Sequence, residues 1–124
     1  MKNTFKSEIS YCNTELTVKE KIQFKNLNDS ESINTLENGT ILTVDKWGLL
    51  QIHNEKLDEP DYQNVVLVTQ DGNKYHTSSN SFFMSIDDIQ SELDEAGEKL
   101  PFDIKIVKKQ SKNNSGQFIT CVLA

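Results

Sequence analysis

The sequence predicts a mainly β domain: a five-stranded antiparallel barrel with one helix between its central and C-terminal hairpins. Three observations carry that expectation. Residues 64–79 hold a β-branched run, Val65 to Val68, then the turn dipeptide Asp71-Gly72 and a short strand around Tyr75. Residues 40–53 alternate over a length that suits one long strand, with Gly48 placed where a curved sheet needs a bend. The only strong helical periodicity lies between Ser85 and Pro101.

The chain of 124 residues is long enough to close one core, so residues 1–124 are expected to form a single domain. No apolar stretch approaches the roughly 20 residues that span a bilayer, and Met1 to Lys6 lack the apolar centre of a signal peptide. A soluble, intracellular protein is expected. Cys12 and Cys121 read as buried, reduced thiols, with a disulfide open to them only if the terminal strands pair. Together with His53 and His76 they show no metal-ligand spacing, and neither a metal nor a cofactor is expected.

Taken in order, residues 3–12 suit a short strand. In Val18 to Lys25, Val18, Ile22 and Phe24 alternate with Lys19, Lys21, Gln23 and Lys25, which predicts a half-buried strand with a lysine row outside. That row suits either phosphate contact or a solvated edge. Asn26 to Glu37 reads as a polar loop. In the long strand, Leu42, Val44, Leu50 and Ile52 hold one phase, and Lys46 and Gly48 interrupt it, so a bulge or bend belongs there. Simple alternation sets Trp47 away from the core, although the bend can equally turn the indole inward. Asn54 to Gln63 reads as a loop.

A two-residue turn at Asp71-Gly72 opposes Val68 to Tyr75 and Thr69 to Lys74. Tyr75 then shares a face with Val66 and Val68, and Lys74 and His76 share the other with Leu67 and Thr69. The helix is predicted to start at Ser85 as N-cap with Asp88 at the third position. It buries Ile86, Ile89 and Leu93 and stops at Gly97. Its six carboxylates read as a solvated surface. Phe102, Ile104 and Ile106 alternate with Asp103 and Lys105 in the first strand of the last hairpin, whose tip spans residues 110–117.

Net charge is −6 and all 13 basic residues are lysine. The distribution is uneven: residues 1–28 carry five Lys against three Glu, and residues 102–124 four Lys against one Asp, around an acidic middle. Without arginine the chain lacks the bidentate fork that most often reads guanine, which disfavours sequence-specific duplex recognition. No activated nucleophile or Gly-rich phosphate loop is present, so an enzyme is not expected.

A helix inserted before the last strands of a small antiparallel sheet suits the oligonucleotide-binding (OB) barrel. Its ligand face would use Trp47, Tyr75, Lys74 and His76, joined by Lys105, Lys109 and Lys112 of the last hairpin and by Lys19 and Lys21. Such a groove stacks bases on aromatic rings and tracks phosphates with lysines. The alternative is an acidic interaction module that inhibits another protein or mimics DNA.

Leu36-Glu-Asn-Gly-Thr-Ile-Leu42, Thr69-Gln-Asp-Gly-Asn-Lys-Tyr75 and Phe102-Asp-Ile-Lys-Ile-Val107, with the Ser-Lys-Asn-Asn-Ser-Gly tip and Phe118, resemble a known family. It comprises the single-stranded DNA-binding proteins of small podophages of Gram-positive bacteria that replicate linear DNA by protein priming. The resemblance covers about residues 33–124. It implies a protein that coats displaced strands in the host cytoplasm, protects them from nucleases and helps melt duplex, with the phage DNA polymerase as a possible partner. It also implies a ligand-stacking role for Tyr75, the tyrosine after the Asp-Gly turn. Trp47 stands beside the position of a second family tyrosine.

Overall fold

The computed structural model describes residues 5–56, 58, 60–98, 101–110 and 117–124. The mainly β expectation holds, but the count differs: the described residues form seven strands and two α-helices rather than five and one. The strands are β1 (Phe5–Cys12), β2 (Glu31–Ser32), β3 (Ile41–Asn54), β4 (Asp61–Thr69), β5 (Lys74–Thr77), β6 (Phe102–Gln110) and β7 (Gln117–Leu123). Helix α1 (Val18–Lys25) follows β1, and α2 (Asn80–Ala96) joins β5 to β6. The sheet runs β2-β5-β4-β3-β6-β7, with β1 also on β3. Beta2 is a two-residue parallel strand inside the segment expected to be loop, and Ile33 beside it is fully buried.

Strand β3 is the axis. Its N-terminal residues pair with β6 through Ile41↔Lys105 to Val44↔Phe102, and its C-terminal residues with β1 through Gly48↔Cys12 to Asn54↔Phe5. The opposite edge pairs with β4. Between the two edge partners lies the expected irregularity: Val44 opposes Thr69 and Lys46 opposes Val68, leaving Asp45 unpaired as a bulge.

The extra residue inverts the side-chain phase. Leu42 and Val44 before it, and Trp47 after it, enter one core, while Leu50 and Ile52 enter another on the opposite face. Of the two orientations open to the indole, the inward one is realised, and Trp47 is 0% exposed. Its Nε1 donates to Gln90 Oε1 at 2.9 Å, which also accepts from Asn13 Nδ2 at 3.2 Å. The buried amide is thereby satisfied, as the interior requires.

The central hairpin is shifted by one residue from the expected register. Leu67 opposes Tyr75 and Val68 opposes Lys74. The turn has three residues, Gln70-Asp71-Gly72, because Asp71 accepts from the Thr69 hydroxyl and from the Asn73 amide, and Gly72 takes φ +88°. A one-residue slip exchanges the faces. Tyr75 therefore joins Val65, Leu67 and Trp47 in the main core, while Lys74 and His76 lie on the face of Val66 and Val68.

Residues 18–25 are helical, not a strand. The Thr17 hydroxyl accepts from the Glu20 amide at 3.2 Å, and the Glu20 carboxylate accepts from the Thr17 amide at 3.1 Å. This capping box sets the N-terminus. Phe24 is the helix's one buried side chain, burial worth about 1.5–3 kcal/mol. Val18 and Ile22, expected to be half-buried, are 74% and 65% exposed.

Helix α2 begins at Asn80, earlier than the sequence suggests. Ser79 rather than Ser85 is the N-cap, accepting from the Phe82 amide at 3.2 Å, and this places Phe82 in the core. Ser85 instead hydrogen-bonds the Thr120 hydroxyl of β7, and Met84 is exposed. Ile86 is buried, with Ile89 and Leu93 partly so, and Gly97 at φ +73° closes the helix as expected.

The terminal strands do not pair with each other, and both thiols are free. Burial raises both above the usual thiol range, Cys121 to about 12. Among the described residues no helix is long and apolar enough to cross a membrane. Among the described residues no cluster of His, Cys, Asp or Glu could hold a metal ion.

Gly48 marks where β1 and α1 approach β3 most closely. A Cβ there would lie 2.3 Å from the Tyr11 carbonyl oxygen and 3.0 Å from Phe24 Cζ. Backbone cannot yield as a side chain can, so Gly48→Ala is expected to destabilise by about 1–3 kcal/mol. A lower urea midpoint at unchanged m-value checks this. An unchanged midpoint would mean that β1 is not held tightly to β3.

Candidate nucleic-acid interface

The sheet has two faces, and α2 closes one of them over the main core. The other face divides into two halves. Directly opposed residues share a face, so β3, β6 and β7 together present Ile41, Lys105 and Val122 in one row and Lys109 with Phe118 in another. Val107 and Thr120 lie between these rows, Thr120 buried where the first turns of α2 reach the β7 edge and hydrogen-bond its hydroxyl. Ile41, Lys105, Lys109, Phe118 and Val122 are all exposed, Phe118 at 38%. Lys105 and Lys109 are four residues apart, about 13–14 Å along the strand, and neither has a carboxylate partner among the described residues. Asp103 at the end of this half accepts from the Thr43 hydroxyl at 2.7 Å.

The second half, on β3, β4 and β5, is covered. Phe24 of α1 packs on Leu50, Ile52 and Val66, with Leu16, Leu27 and Tyr62 around them. The cations of this half are engaged by the covering segment. Lys46 Nζ reaches Glu20 Oε2 at 2.6 Å, Lys74 meets Asp29 and the Gln23 carbonyl, and Ser30 Oγ lies 2.7 Å from His76 Nδ1. Burial lowers the His76 pKa. The Lys46 hydrogen bond holds the Glu20 carboxyl at about 2, well below its ordinary range.

The sign of that shift sets a test. A carboxyl with a depressed folded pKa adds stability that is fully present above its unfolded value near 4.5 and is lost as pH falls through about 2. Wild type is therefore expected to exceed Glu20→Gln in thermal midpoint above pH 4.5, with the gap closing towards pH 2. A gap independent of pH would show that the Glu20 charge is not its source.

The residues expected to form one ligand face are dispersed. Trp47 and Tyr75 lie in the core beneath the sheet, and Tyr11 covers part of the indole at a ring-centroid distance of 5.1 Å. Lys74 and His76 occupy the covered half of the opposite face, Lys105 and Lys109 the open half. Lys19 and Lys21 are exposed on α1. Lys112 and the tip at 111–116 lie outside the described residues. The structure brings Lys105 and Lys109 together with Phe118, an aromatic outside the expected ligand set. Its partnership with Lys109 follows from the β6–β7 register, which alternation alone does not define.

The sequence model of the family described as Phage Single-stranded DNA-binding protein matches residues 1–124. The chain belongs to this family. No curated protein and no solved structure matches it. Membership names a ligand class, single-stranded DNA, and a phage setting.

Proposed function

We propose that the protein coats displaced single strands during phage DNA replication in the host cytoplasm, without sequence preference. The open face of the β6–β7 hairpin receives the strand, with phosphates on Lys105, Lys109 and Lys112 and a base stacked on Phe118. In this reading the sheet serves as the ligand platform of an OB-like half-barrel. Lys19 and Lys21 extend the positive field. Trp47 and Tyr75 support the sheet from beneath, and Lys74 and His76 belong to its covered half.

The observation that supports this reading is the pairing of Phe118 with Lys109, both exposed, two rows from Lys105. A ring beside an ammonium group suits any base, since every base offers a π-face and every nucleotide a phosphate. The lack of arginine fits such tolerance.

Gel-shift titration with an oligo-dT strand and with duplex DNA over a range of salt tests the proposal. Preferential binding of the single strand is expected, with a log–log salt slope of about −2 for three phosphates neutralised at about −0.7 each. A slope near zero, or equal affinity for duplex, would overturn it.

A further inference from the structure

The open half of the sheet face ends where residues 17–30 cross it, held by Phe24 and Leu27 on the smaller core and by a set of polar ties. Phe24 is the single buried side chain of α1. The polar ties are Glu20 to Lys46, Asp29 and the Gln23 carbonyl to Lys74, and Ser30 to His76, ahead of the β2 pairing that anchors residues 31–32 on β5. Between this segment and the β4–β5 turn runs a groove of about 430 Å³, lined by Glu20, Asp29, Glu31, Lys46, Asn73 and Lys74 among others. Two of its carboxylates sit on its two lysines, where phosphate oxygens would sit if a strand lay along the same sheet face.

We infer that residues 17–30 form a displaceable strap, whose Glu20 and Asp29 occupy a second phosphate-binding site made by Lys46 and Lys74. The inference rests on the single-strand-binding reading above and extends it. A short strand is held by the open half alone. A longer one continues across β3 and β4 and displaces the strap, exchanging each carboxylate–ammonium pair for a phosphate–ammonium pair. Breaking the two internal pairs takes up ions from solution, which offsets part of the counterion release on binding. The strap thus weakens binding and flattens its salt dependence, and it sets a threshold in strand length.

The test compares wild type with a Glu20→Gln/Asp29→Asn double variant, using dT strands of 5 and 20 nucleotides. Glutamine keeps the capping box intact. A Glu92→Gln/Glu95→Gln variant, altered on the exposed side of α2, controls for the same change in net charge. The strap variant is expected to bind the 20-mer about 2- to 30-fold more tightly than the control does at low salt, from two partly exposed pairs. Its salt slope should steepen by about −1.4, with little change for the 5-mer. Hydrogen exchange at the Lys21 amide, which donates to the Thr17 carbonyl, should quicken when wild type binds the 20-mer. Equal affinities and slopes for the strap and control variants, or slower exchange in α1 on binding, would overturn the inference while leaving the functional reading in place. Failure of wild type to bind either strand would overturn both.

Discussion

Trp47→Ala is expected to destabilise the protein by about 3–5 kcal/mol, the range for emptying a large aromatic site in a packed core. The indole is fully buried against Val44, Leu67 and Phe82, and its Nε1–H has a partner in Gln90. Removing it leaves a cavity that the surrounding strands cannot collapse, since β3 is pinned on one edge by β4 and on the other by β1 and β6. Trp47→Phe should cost less. It restores much of the volume, and Gln90 Oε1 keeps the Asn13 amide as a donor. Urea unfolding followed by circular dichroism measures both. If Trp47→Ala lowered DNA affinity but left the unfolding midpoint unchanged, the indole would be a ligand contact and not a core residue.

The same residue shows where reading the sequence succeeds and where it stops. The length of β3, its irregularity near Lys46, the alternation of Phe102, Ile104 and Ile106, and the Gly97 helix end are all visible in residue type and spacing. Each depends on local periodicity or on a backbone preference. Phase after a bulge does not. Asp45 adds one residue, and every side chain beyond it changes face, so whether Trp47 turns inward depends on the strand across from it. The central hairpin failed for a similar reason. Asp71-Gly72 signals a tight turn, but Asp71 engages both Thr69 and Asn73 and widens the loop to three residues, reversing the faces of Tyr75 and Lys74.

Residues 18–25 held two consistent patterns. Val18, Ile22 and Phe24 fit a strand, while Thr17 and Glu20 fit a capping box. The helix prevails because little of its apolar surface is buried in either case, so the end-capping bonds decide. That outcome matters for the site. A strand in this position would have added lysines to the sheet; the helix instead lies across it and brings Glu20 onto Lys46. The lysines legible in the sequence were thus divided by tertiary structure into an open pair on β6 and an engaged pair under α1.

The division makes Phe118→Ala the sharper test of the binding face. Phe118 is half in solvent, on the edge strand β7, opposite Lys109. A stacked base is worth about 1–3 kcal/mol by alanine substitution, so affinity for a dT strand should fall about 5- to 150-fold. Stability should change much less than for Trp47→Ala, because the ring is outside both cores. Lys105→Ala and Lys109→Ala should behave differently, each making the salt slope shallower by about 0.7. Phe118→Ala should leave that slope in place, since stacking releases no counterions from the backbone. Leucine at 118 separates stacking from simple apolar contact: it retains bulk and loses the flat ring, and it should bind close to the alanine variant. Binding by Phe118→Leu equal to wild type would show that this edge contributes apolar surface and that the bases stack elsewhere.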